Sequence, residues 1–227
     1  MDINTYFDKI IIVNLDKRAD RWNKLLPKLQ KNNITNYIKI SAVDPTIPPY
    51  NNLKLPPNFY DTIGAYGMLC SAYLVILHAK RNNYKRILLL EDDILFHQQF
   101  NLLFNHKITS IPDWYLLYFG TSIHQWRFKE RCKIKADYMQ AKGTIAGAFG
   151  IGIDCRIYDI LLQQILAMNQ SWDIGPLKRI NQLYHHKCFI FNPYLIIANT
   201  EDSNIREGKT LHYKAKQCNW DLNLYEI

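Results

Sequence analysis

Three acids in a row, Glu91-Asp92-Asp93, directly follow the apolar run Arg86-Ile87-Leu88-Leu89-Leu90. Adjacent carboxylates repel one another and hydrate strongly, so a buried strand gains nothing structural by ending in them. In an extended chain, residues i and i+2 share a face, which lets Glu91 and Asp93 grip one hard divalent cation through oxygen. Mg²⁺ or Mn²⁺ suits such a donor set, and a cation there can bridge the two phosphates of a nucleotide. The competing reading is a polar strand end in which Asp92 or Asp93 caps the 94–105 segment. Position favours the first reading, because ligands of open α/β sheets bind beyond the carboxyl ends of the strands.

The elements that must carry this triplet alternate along the chain. Residues 9–15 are a continuous apolar, β-branched run, the mark of a strand covered on both faces. Asp16 is placed to cap a helix from Lys17 to about Gln30, whose Trp22, Leu25, Leu26 and Leu29 recur at helical spacing and which Pro27 should kink or shorten. Residues 37–41 read as a second strand, and 44–58, crowded with prolines, as a loop. A long helix over 65–82 precedes the strand 86–91. Further strands are expected over 114–119 and 195–198, a glycine-rich apolar stretch over 144–153, and helices over 156–167 and near 176–184. This order predicts an α/β fold, a central mixed, mostly parallel sheet flanked by helices, in one domain spanning 1–227.

Composition narrows the function. With 227 residues and 48% hydrophobic content the chain can bury a full core. Its uninterrupted apolar runs are strand-length, and its polar N-terminus does not read as a secretory signal, so a cytoplasmic protein is expected. Five scattered cysteines, never in CxxC spacing, argue against a disulfide scaffold or zinc ribbon. The net charge of +8 points to anionic partners, an acidic membrane surface met peripherally among them. Basic residues alternate from Arg127 to Lys135, which reads first as a charged edge strand and second as a contact surface. No nucleic-acid-binding motif, P-loop, serine nucleophile elbow or dinucleotide fingerprint is present, so nucleic acid is not expected as a partner.

Three landmarks together resemble glycosyltransferase family 25, which includes bacterial lipooligosaccharide and collagen-modifying galactosyltransferases. They are Val13-Asn14-Leu15-Asp16-Lys17-Arg18-Ala19-Asp20-Arg21; then Gly64, Gly67 and Ser71 at a helix start; then Leu90-Glu91-Asp92-Asp93-Ile94. Looser likenesses continue through Gly143–Ile153, Ser171-Trp172-Asp173-Ile174 and Ile197–Ile205. The sequence departs at Ala65 and Ala72, where the family commonly has an acid and a histidine.

The resemblance implies a GT-A-like fold and a UDP-sugar donor. It also implies metal-assisted, inverting transfer of a hexose, galactose or glucose, to a hydroxyl of a glycan, lipooligosaccharide or hydroxylysine-type acceptor. On that basis Glu91, Asp93 and, from the C-terminal segment, His212 are the expected ligands of Mn²⁺ or Mg²⁺. Asn14, Leu15, Arg18, Arg21, Gly64, Ser71 and Asp92 are expected around the donor, the two arginines as phosphate clamps at a helix start. An inverting transfer also needs a general base. Asp173, beside a Trp172 that could stack on a sugar, is the first choice, with Asp202 and Glu201 as alternatives. The other reading kept open is a catalytically degenerate nucleotide- or carbohydrate-binding module, for which Ala65 and Ala72 speak and the intact triplet against.

Overall fold

The computed structural model describes residues 1–122, 135–167, 169–201 and 210–227. The strands are β1 (Lys9–Asn14), β2 (Tyr37–Ser41), β3 (Arg86–Glu91), β4 (Ile94–Phe96), β5 (Leu116–Tyr118), β6 (Tyr138–Gln140), β7 (Gly150–Asp154), β8 (Cys188–Phe191) and β9 (Ile196–Ala198). The α-helices are α1 (Ile3–Tyr6), α2 (Ala19–Lys31), α3 (Ile63–Arg81), α4 (Phe100–Lys107), α5 (Tyr158–Leu166), α6 (Lys178–Leu183) and α7 (Leu211–Cys218).

Seven strands form one sheet in the order β2-β1-β3-β7-β5-β8-β6. Strands β1, β2 and β3 are mutually parallel, β5 is parallel to β8, and only β6 and β7 run against the rest. This is the mixed, mostly parallel sheet expected from the sequence. The apolar runs are unbroken because both faces are covered. In β1, Ile10 and Ile12 enter one core cluster while Ile11 and Val13 enter the other, and in β3 Leu88 and Leu90 oppose Ile87 and Leu89 in the same way. Helix α3 is long and apolar enough, by length and composition, to cross a membrane, which a search for unbroken apolar runs overlooks. Here it is a core helix, burying Leu69, Ala72, Val75, Ile76 and Ala79 against the sheet.

Several local expectations are corrected. Asp16 does not cap α2: its carboxylate accepts from the Ser41 hydroxyl and pairs with Lys39, while Arg18 occupies the cap position without a side-chain cap bond. Pro27 does not shorten α2, which continues to Lys31. The acids after β3 cap nothing either, since the chain goes straight into β4 and only then, after Gln99, into α4. The strand expected near 195–198 is β9, paired with β4 in a separate two-stranded ribbon. The alternating basic residues 127–133 lie outside the described residues.

Register sets the site. Asn14 pairs with Ser41, and Val13 with Glu91, so β1, β2 and β3 end level at one edge of the sheet. Strand β7 runs the other way and begins at that edge, Gly150 opposite Leu90.

Candidate active site

At this edge two clefts meet, and Met68, Glu91 and Asp93 line both. The first, about 230 Å³, lies over the ends of β1 and β2 and the start of α3; Leu15, Lys17, Asp44 and Gly64 are in its wall. The second, about 150 Å³, lies toward β7 and the C-terminal segment, with Asp61, Ser122, Asp173, Thr200 and Lys214 in its wall.

The three acids of the triplet have different surroundings. Asp92 turns inward: its oxygens accept from Asn14 Nδ2 at 2.7 Å and from Arg21 Nη1 at 2.9 Å. The same Nη1 stands 3.3 Å from Asp93 Oδ2. Asp93 Oδ1 is buried and, among the described residues, has no hydrogen-bond partner. Glu91 is held through its backbone, its N–H donating to the Phe149 carbonyl at 3.0 Å. Burial, and then the charges of Asp93, Asp92 and Asp173, push the Glu91 carboxyl up to about 8, with Arg21 opposing. Asp93 is likewise raised by burial, against the pull of Arg21. Two half-buried carboxyls that resist ionising, one with an orphaned oxygen, form a hard-oxygen donor set to which a divalent cation would be complementary.

Each cleft has its own scaffold. On the first side, Ser71 is fully buried, accepting from the Val43 N–H at 2.8 Å and donating to the Gly67 carbonyl at 2.7 Å. It thereby ties the loop after β2 to α3. Gly67 is needed there, because a Cβ would lie 2.7 Å from the Val43 carbonyl oxygen. Asp44 closes that loop by accepting from the Thr46 N–H at 3.0 Å and pairing with Lys17 at 2.6 Å. On the second side, Asp173 opens a π-helical turn (Asp173–Leu177) and accepts from the Gly147 N–H at 2.9 Å and the Ser171 hydroxyl at 3.3 Å. Gly147 has φ +82°, and a Cβ on it would sit 2.8 Å from Ser122 Oγ and 2.7 Å from the Phe149 ring. Each carboxylate oxygen of Asp173 keeps a further lone pair for a hydroxyl proton.

The structure therefore gathers Leu15, Arg21, Gly64, Ser71, Glu91, Asp92 and Asp93 around the first cleft and sets Asp173 in the second with Glu91 and Asp93. It does not gather the rest. Arg18 donates to Asp20 through two contacts of 2.9 Å and is not among the residues lining either cleft. Asn14 is buried behind Asp92, so its partner is that carboxylate. Arg21, although it lines the first cleft, is paired there with Asp92 and Asp93. His212 is exposed in the first turn of α7 and lines neither cleft. Among the described residues no group of three His, Cys, Asp or Glu side chains is placed to hold a metal. Trp172 also lines the second cleft, but it is 3% exposed and packs in the core. Glu201 is exposed and lines neither cleft, and Asp202 lies outside the described residues. Of the two departures, Ala65 lines the second cleft, whereas Ala72 is sealed in the core. Asp44, Asp61, Ser122 and Lys214 escaped the sequence reading, and Lys17 and Thr200 stood in the family likenesses without a role. Only the loop between β2 and α3 offered a signal for any of the former, through its length and prolines.

Comparison with known proteins places the sequence in a family. Residues 7–146 match the model of a family described as Glycosyltransferase family 25 (LPS biosynthesis protein). Human procollagen galactosyltransferase 2 is 28% identical over 154 residues, which is 58% of this chain and 24% of that protein, so the chain spans about a quarter of the relative's length. Among solved structures, a glycosyltransferase involved in glycosylation of the major capsid of PBCV-1 superposes with a TM-score of 0.38 at 11% identity, covering 68% of this chain and 64% of the other. A mannose-1-phosphate geranyltransferase from Thermus thermophilus gives 0.41 at 10%, covering 81% and 72%.

Proposed function

From the premise that this chain belongs to glycosyltransferase family 25, we propose that it transfers a hexose, galactose or glucose, from a UDP-sugar to an acceptor hydroxyl, with inversion and with Mn²⁺ or Mg²⁺ bound. The observation that supports this reading is the pair of clefts sharing Glu91 and Asp93 at the carboxyl ends of β1 and β3. A two-substrate reaction needs two binding sites that meet at the reacting atoms, and these clefts meet at carboxylates.

In this reading the nucleotide occupies the first cleft, between Leu15 and the loop that Ser71 and Asp44 hold. Glu91 and Asp93 would hold the cation, which would offset the charge that develops on the leaving diphosphate. The acceptor enters the second cleft. Its hydroxyl oxygen attacks the anomeric carbon as the bond to the diphosphate oxygen breaks, and Asp173, aimed by Gly147 and Ser171, takes the hydroxyl proton. The acceptor is a glycan, a lipooligosaccharide or a protein hydroxyl such as that of hydroxylysine, for which the procollagen-modifying relative is the precedent. Ala65 in the wall of the second cleft favours a second reading, a degenerate binding module of the same fold.

Calorimetric titration of UDP with and without Mn²⁺, on the parent and on Asp93→Ala, tests the proposal. Metal-dependent binding that disappears in the variant supports it. Binding by both proteins alike refutes the metal role of Asp93. UDP and metal binding without turnover of any UDP-hexose would leave the degenerate module as the function.

A further inference from the structure

Resting on that reading, we propose that Arg21 is a positioning residue: it fixes the orientation in which Asp93 presents an oxygen to the cation, and Asp92 is its anchor instead of a ligand. Helix α2 brings Arg21 beneath the triplet, where it is 7% exposed. One nitrogen, Nη1, bridges two neighbouring carboxylates, Asp92 Oδ1 at 2.9 Å and Asp93 Oδ2 at 3.3 Å. Asp92 is fixed from its other side by Asn14 Nδ2, at 2.7 Å, and Asn14 Nδ2 also donates to the Arg18 carbonyl at 3.1 Å, where α2 begins. Strand β1, helix α2 and the end of β3 are thus closed into one buried polar network. Asp93 has one oxygen inside this network and the other, Oδ1, buried and unpartnered among the described residues. A carboxylate pinned by one oxygen has lost most of its freedom about χ2, so the free oxygen has a defined direction. Lys28, two turns along the same helix, donates to the Ile94 carbonyl at 3.2 Å and steadies the backbone on the far side of Asp93.

The alternative role for Arg21 is simple charge balance for three crowded acids, and the two roles predict opposite changes in metal affinity. A bare counter-charge repels a cation, so removing it should tighten Mn²⁺ binding. A positioning group should weaken binding when removed, by the 10- to 100-fold, roughly, that outer-shell partners of metal ligands contribute.

The test is Mn²⁺ binding followed by electron paramagnetic resonance of the free ion, at fixed UDP, on Arg21→Gln, Arg21→Lys, Asp92→Asn and Asp93→Asn, with thermal unfolding recorded for each. Weakening of about tenfold or more in Arg21→Gln and Asp92→Asn is expected. Arg21→Lys, which keeps the charge and loses the planar fork, should also weaken binding, and it decides the matter if Arg21→Gln fails to fold. Unchanged or tighter Mn²⁺ binding in folded Arg21 variants, with Asp93→Asn deficient, would overturn the positioning role and leave the metal site standing. Binding unaffected by Asp93→Asn would remove both.

Discussion

Replacing Glu91 by glutamine should make the metal-free protein more stable, and only at neutral to alkaline pH. The reason is the environment of the carboxyl. Burial, and then Asp93, Asp92 and Asp173, raise it from an ordinary 4.5 to about 8. Below pH 4.5 the group is protonated in both folded and unfolded chains, and it contributes nothing. As pH rises from there, the unfolded chain releases the proton freely while the folded one retains it, so stability falls until the folded group ionises near pH 8 and then levels off. A displacement from 4.5 to about 8 corresponds to about 5 kcal/mol if Glu91 acted alone. It does not act alone: Asp93 is raised too, to about 6, and protonation of either relieves the other. Sharing the relief brings the expected gain in Glu91→Gln to roughly 2–3 kcal/mol above pH 8. In a chain of this size that is a rise of about 5–10 °C in Tm. Thermal unfolding with EDTA, at about pH 5 and about pH 8.5, on either side of the transition, measures it. The expected outcome is a small difference at the lower pH and a large positive one at the higher. A variant less stable than the parent at both values would show that Glu91 makes net favourable contacts and refute the argument that this acid is held at a cost for the sake of a ligand.

Other outcomes follow from the same geometry. Mn²⁺ affinity, measured by isothermal titration from about pH 5 to about pH 8.5, should rise with pH and flatten near pH 8, because the cation must displace protons from Glu91 and Asp93. Ser71→Ala strips the buried Val43 N–H of its acceptor and should cost about 1–3 kcal/mol in denaturant unfolding, with weaker UDP binding from the loosened loop. Gly120→Ala puts a Cβ 1.8 Å from the Ile196 carbonyl oxygen, backbone that cannot rotate away. A loss of about 3 kcal/mol is expected there, at the upper end of overpacking costs, readable as a shifted urea midpoint. His212→Ala, exposed in α7, should leave Mn²⁺ affinity unchanged; a tenfold loss in calorimetry would return that histidine to the metal shell.

Much of this was legible in the sequence because it depends on short-range pattern. Ile10–Val13 and Ile87–Leu90 are apolar at every position, so successive side chains supply both faces of the sheet, which no half-exposed strand would tolerate, and they declare a buried parallel core. The triplet after β3 stands out because its desolvation cost has no structural return. Local pattern is also why some elements escaped. Strand β8 has four residues, β4 and β6 three each, and such segments take their state from the neighbours they pair with.

What tertiary structure alone decided is the division of labour within the site. Sequence treats Glu91, Asp92 and Asp93 as one feature. Only the approach of α2 and the level ending of β1 beside β3 turn Asp92 inward onto Asn14 and Arg21, leaving its neighbours facing two clefts. An ion pair over a separation of 71 residues and a hydrogen bond over 78 have no signature in local composition. Arg18 and Arg21 look alike in the sequence, and one helical turn separates a surface pair with Asp20 from a buried bridge under the acids. Likewise Asp173 acquires its orientation from Gly147, and Ser71 its task from Val43, each across a span that only the packed sheet brings within hydrogen-bonding reach.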